Sequence, residues 1–176
     1  IFKKRAGYEG ASQGRRTKNW RTTNSSADAL LRGSLSILRN RSRDLIRNNP
    51  YASRGVNFLT NNIVGEGIIG VIKVPGNPKA EAKLNEEWRK WTESKQCDFE
   101  GRSDFAGLQR LAVRSLLESG EVLARGLTKT SGFPLEIQLL ESDFLPTQEN
   151  RRNGLNEVMQ GIEFNPQGKR VAYHIY

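Results

Sequence analysis

Cysteine, histidine and methionine are each present once in 176 residues, as Cys97, His174 and Met159. One cysteine excludes an internal disulfide framework, fits a reducing compartment, and together with one histidine leaves no zinc constellation. No apolar run approaches the ~18 residues of a membrane helix, and no charged-then-apolar secretory start is present. The expectation is a soluble intracellular protein with no membrane partner, in which the sequon Asn24-Ser25-Ser26 arises by chance. Motifs of the G-x-S-x-G, H-E-x-x-H and G-x-x-x-x-G-K-[ST] types are also missing. The carboxylate pairs Asp98/Asp104 and Glu118/Glu121 lie at helix ends, where capping and dipole interactions account for them. These absences argue against an enzyme and predict no cofactor and no metal.

Positive charge is abundant and unevenly placed. The formal net charge is +9, yet residues 1–54 carry thirteen Lys/Arg against Glu9, Asp28 and Asp44, a net of +10, and the remainder is close to neutral at −1. A concentrated basic patch attracts polyanions or an acidic protein surface. The length suits one domain with a real core. The chain opens at Ile1 rather than methionine and closes at Tyr176 inside an alternating apolar run, a pattern expected of a piece of a longer protein.

Residues 1–24 are rich in Gly, Ser, Thr, Asn and basic groups and read as an extended basic arm. From residue 25 onward one domain is expected. The capping pattern Ser25-Ser26-Ala27-Asp28 predicts a helix start, and Leu31, Leu35, Leu38, Ser42 and Leu45 form one stripe of a helix from about Ser26 to Asn49, about 36 Å long. Gly33 weakens it by about 1 kcal/mol relative to alanine, and Asn49-Pro50 ends it. Pro50 then opens a second helix carrying Ala52, Val56, Leu59 and Ile63.

Gly65-Glu66-Gly67-Ile68-Ile69-Gly70 has the spelling of a dinucleotide loop, but a helix precedes it and a β-branched run follows, the reverse of what phosphate binding needs. It reads as a helix stop opening a strand, Ile68–Val74. Asn77-Pro78 opens a third helix with Leu84, Trp88 and Trp91 on its apolar side; tryptophans at that spacing are core residues more often than base-stacking platforms. A fourth helix runs from Ser103 to Gly120. Alternation then predicts strands at 121–127, 135–140, 158–164 and 170–176, with a polar loop over 142–157 and a hairpin turn at Asn165-Pro166-Gln167-Gly168-Lys169. The fold class is α+β, about four helices followed by a mostly antiparallel sheet. On such a strand His174 is expected to be structural.

The order Ser26-Ala27-Asp28, then Leu38-Arg39-Asn40-Arg41-Ser42-Arg43-Asp44-Leu45, Arg47-Asn48-Asn49-Pro50 and Val64-Gly65-Glu66-Gly67 resembles the N-terminal part of lambda-type phage portal proteins. The Trp88/Trp91 helix with Cys97-Asp98, Gly120-Glu121-Val122-Leu123, Gln138-Leu139-Leu140-Glu141-Ser142-Asp143, and Gly161-Ile162-Glu163-Phe164 with Val171-Ala172-Tyr173-His174 extend the resemblance from Trp20 onward. It implies the wing part of a subunit of a ring, usually dodecameric, at a capsid vertex. Through that ring a terminase motor drives double-stranded DNA without sequence specificity. The tunnel helix and clip of the family fall outside this stretch. Implied partners are further copies of the chain, the terminase, the major capsid protein and scaffold, and a head–tail adaptor.

Arg39, Arg41, Arg43, Asp44 and Arg47 are then candidate subunit-interface residues. Of the roles open to this stretch, facing packaged DNA, meeting capsid or scaffold protein, or a subunit interface, the last is favoured, with Arg39, Arg41, Arg43 or Arg47 pairing with a neighbour's acids to set register. Arg15, Arg16, Lys18 and Arg21 are candidate nucleic-acid contacts. The rival expectation is a free-standing nucleic-acid-binding module built on residues 1–54, with steeply salt-dependent affinity.

Overall fold

Prolines and asparagines divide the helical half. The computed structural model describes residues 15, 19–20, 22–31 and 33–176. These fall into two units, Ile1–Gly33 and Ser34–Tyr176.

In the first unit the Ser26 hydroxyl accepts from the Ala29 amide at 3.2 Å and starts α1, Ala27–Leu31. The single long helix expected over 26–49 is not formed: Gly33 and Ser34 make a turn, and a separate helix α2 begins at Leu35 and runs to Asn48. Most helical stability comes from a packed face. Leu30 and Leu31 are exposed, so nothing carries the helix through the glycine.

In the second unit Asn49 ends one helix and starts the next. Its amide donates to the Leu45 carbonyl, while its side chain accepts from the amides of Tyr51 and Ala52, opening α3, Pro50–Val64. Asn77 caps α4, Pro78–Thr92, in the same way, and Asp104 caps α5, Phe105–Ser119, through the Gly107 amide at 2.7 Å. This side-chain capping supplies the partners that the first helical amides lack. Asp98 takes the amides of Glu100, Arg102 and Ser103, so the expected structural role of these carboxylates holds.

The stretch 68–74 lies in neither helix nor strand, contrary to the expected strand. Side chains take the place of a partner strand. Gln109 pairs with both the amide and the carbonyl of Ile68, Asn85 does the same at Ile72, and Glu81 accepts from the Val74 amide. Gly67 lies against α5 so closely that a Cβ there would meet the Ala106 Cβ at 2.8 Å.

The β half follows. Strands β1, Leu123–Thr128, and β2, Leu135–Leu140, form an antiparallel hairpin with Leu123 opposite Leu140. A four-stranded antiparallel sheet has the order β3–β4–β5–β6, with β3 Asn150–Asn153, β4 Asn156–Met159, β5 Ile162–Phe164 and β6 Arg170–Tyr173. The polar loop expected over 142–157 thus contains a strand, and the single strand expected over 158–164 is a hairpin. Its turn is Gln160-Gly161, both at positive φ, the two-residue geometry that matches strand twist. Gly161 is required twice over, since a Cβ there would also press on Pro146 and Leu145. The turn at 165–169 forms as expected, with Asn165 accepting from the amides of Gln167 and Lys169.

The core sits where helices meet β1–β2. Trp91, Cys97 and Leu108 are buried, with Trp88, Phe105, Phe133, Ile137 and Leu139 packed around them. The tryptophans are core residues: their rings lie 5.1 Å apart, and the Trp91 indole donates to the Leu135 carbonyl at 2.8 Å. Burial, reinforced by Asp98, pushes the Cys97 thiol up to about 11, which leaves it protonated and unreactive.

Candidate functional site

Helix α2 buries a different face from the one its leucines suggest. Its buried residues are Arg39 and Ile46, with Leu35 and Ser42 partly covered, while Leu38 and Leu45 are 53% and 54% exposed. Arg39, Ser42 and Ile46 lie at i, i+3 and i+7, a helical stripe turned from the leucine stripe by about one residue.

What holds an arginine inside is a set of acids from the far end of the chain. The Arg39 side chain is only 4% exposed; its Nη2 donates to Glu121 Oε1 at 2.6 Å and its Nη1 to Asp143 Oδ1 at 3.1 Å. Arg43, one turn on, reaches Asp143 Oδ2 at 2.5 Å and Glu141 Oε2 at 3.7 Å, and its Nε donates to Ser119 Oγ at 2.9 Å. Burial pushes the Asp143 carboxyl up, but hydrogen bonds from Arg43 and Arg39 outweigh this and leave it lowered. Two arginines and three carboxylates therefore fasten α2 to the end of α5 and to the end of β2. A cleft of about 770 Å³ opens beside this cluster, lined by Arg43, Arg47, Arg114, Glu118, Glu121 and Glu141.

The candidate interface residues divide accordingly. Arg39 and Arg43 are engaged within the chain, and Arg41, Asp44 and Arg47 are exposed on α2. Asp44 accepts from the Asn48 side chain at 2.7 Å. Arg15 is exposed at a turn; Arg16, Lys18 and Arg21 lie outside the described residues. Glu121 was visible in the sequence only as a helix-end acid, and its pairing with Arg39 had no sequence signal beyond complementary charge. Gln109 and Asn85 carried none at all.

The profile of the family described as phage portal protein, lambda family, matches residues 13–176. The chain belongs to this family. Two relatives agree with the assignment. A probable portal protein of Halomonas phage phiHAP-1 is 29% identical over 94% of this chain, and portal protein B of Escherichia phage lambda is 23% identical over 97%. The chain spans about a third of the length of these relatives, 34% and 35% respectively.

Away from α2, this portal-family chain holds a second polar network inside the β3–β6 sheet. Glu163 accepts from the side chains of Asn153 and Asn156 and faces His174 Nε2 at 2.8 Å. Arg151 Nη2 lies 3.3 Å from His174 Nδ1, so Nδ1 is the acceptor and Nε2 carries the proton given to Glu163. The Asn156, His174 and Asn153 hydrogen bonds bring the Glu163 carboxyl down to about 2. A carboxylate lowered by folding stabilises the fold above its unfolded value near 4.5, and the benefit fades as pH falls toward about 2. Acid titration followed by hydrogen exchange of β4–β6 is expected to show loosening in that window. Glu163→Gln should remove this pH dependence. Among the described residues, no helix is long and apolar enough to cross a membrane, and no group of three or more His, Cys, Asp and Glu is placed to hold a metal.

Proposed function

We propose that this chain is the wing part of a portal-ring subunit at the capsid vertex of a phage or phage-derived particle. Its role is structural. The ring forms the channel for packaging and release of DNA and the platform for a terminase motor and a head–tail adaptor, with capsid and scaffold protein around it. Residues 1–24 act as a basic arm preceding this domain. Family membership supports the reading, and the division of labour on α2 is the observation that carries it. Two arginines lock the helix to its own chain, which leaves Arg41, Asp44 and Arg47 on a rigid exposed surface beside the half-exposed Leu38 and Leu45.

A closed ring needs two different complementary surfaces on each subunit, and a charged rim around apolar residues is the usual anatomy of such a surface. Native mass spectrometry of the purified protein is expected to show rings. Arg41→Glu with Arg47→Glu should raise the concentration needed for assembly by roughly tenfold or more, while thermal melting is unchanged. Intact rings at the same concentration would remove α2 from the interface. Arg43→Glu is unsuitable for this test, because it breaks an internal cluster.

The net +10 of residues 1–54 favours a second reading, a free-standing nucleic-acid-binding module with Arg15, Arg16, Lys18 and Arg21 in contact with phosphates. It requires a monomer or small oligomer whose duplex affinity falls steeply with salt. A ring that binds DNA weakly and without sequence preference excludes it.

A further inference from the structure

Between α3 and α4, residues 68–74 are held on one side: Gln109 at Ile68 and Asn85 at Ile72 each grip the amide and the carbonyl of one residue, the arrangement that extended backbone offers. In extended backbone the amide and carbonyl of one residue point to the same side, and successive residues alternate. Ile68, Ile72 and Val74 all use the inner side, toward Gln109, Asn85 and Glu81. The main-chain groups of Ile69, Val71 and Lys73 point the other way, and among the described residues they meet no partner. Clamping side chains bond one side of this segment, as a neighbouring strand would, and leave the groups of Ile69, Val71 and Lys73 for a partner. The side chains beside those groups are apolar and uncovered: Ile68, Ile69 and Val71 are 66%, 54% and 71% exposed.

We infer that residues 68–74 accept a strand from a second copy of this chain, the pairing that ties one ring subunit to the next. The inference rests on the ring reading above. The size of the surface supports this occupant. The exposed side chains of Ile68, Ile69 and Val71 present on the order of 300 Å², the lower end of the about 300–600 Å² of the largest patch on a typical monomer. Edge pairing adds main-chain area, toward the ~800 Å² each partner gives to a stable interface. Lipid is a poor occupant, because it would leave the outward amides and carbonyls without hydrogen bonds. The chain also holds the complement. Strand β1 is an end strand of a two-stranded sheet, and among the described residues no strand pairs with its outer side.

The decisive experiment combines variants with hydrogen exchange on the purified protein. Ile69→Pro and Val71→Pro each delete an outward amide while tolerating extended backbone. Each is expected to raise the concentration needed for assembly by roughly tenfold or more, while Val71→Ala lowers assembly far less. In the wild-type assembly the amides of Ile69, Val71 and Lys73 should exchange at least roughly tenfold slower than in dissociated protein. Equal exchange in both states, or proline variants that assemble normally, overturns the strand pairing and leaves the ring intact. A wild-type protein that stays monomeric at every concentration overturns the ring reading and this inference with it. Should a proline variant misfold, the exchange rates of the wild type decide.

Discussion

Replacing Glu121 and Asp143 together by alanine is expected to destabilise the second unit by about 3–5 kcal/mol, because it leaves the Arg39 guanidinium buried without an opposite charge. Water cannot easily reach that group, since its side chain is 4% exposed and its Nε already lacks a partner. Arg39→Met should cost much less, roughly 0–2 kcal/mol. It removes the charge that must be desolvated, keeps most of the volume, and leaves Asp143 paired with Arg43. Urea unfolding of the three proteins measures the difference. If Arg39→Met proves as damaging as the double alanine variant, the cluster contributes through the net attraction of its charges rather than through the penalty of stranding one. A pH profile adds a second check. Asp143 is lowered in the folded state, so its contribution is present above its unfolded value near 3.8 and declines as pH falls below it.

Trp91→Ala is expected to cost about 3–5 kcal/mol, the range for removing a large aromatic from a packed core. The indole touches both Trp88 and Phe105, with ring centroids at 5.1 and 5.3 Å, and its N–H satisfies the Leu135 carbonyl of β2. Truncation therefore opens a cavity and orphans an acceptor at the joint between the helices and the β1–β2 hairpin. Trp91→Phe keeps most of the contact and loses the hydrogen bond, so a loss of about 1–3 kcal/mol is expected. The midpoint of urea unfolding, followed by far-ultraviolet circular dichroism, measures both. A change below 1 kcal/mol for the alanine variant would mean that this cluster is not the core of the unit.

Much of the fold was legible because it is written in local chemistry. Asn49-Pro50 and Asn77-Pro78 open helices, Gly120 closes one, and Asn165 to Lys169 turns a hairpin, each through bonds spanning a few residues. The Gln160-Gly161 turn was missed because Val158 to Phe164 alternates without a break, and only the positive φ at both residues reveals the reversal. Residues 68–74 were read as a strand from their β-branched side chains. They form no strand, because sheet membership depends on a partner strand and here Gln109 and Asn85 take its place.

The candidate site divides along the same line. Family membership and the arginine-dense helix stopped by Pro50 follow from residue order alone. Which arginines face outward does not, because burial of a charge depends on what lies opposite it. For Arg39 the opposing carboxylates stand 82 and 104 positions away, at Glu121 and Asp143. Only folding brings them to α2, and in doing so it turns the helix by about one residue, draws Arg39 and Arg43 inward and leaves Arg41, Asp44 and Arg47 at the surface.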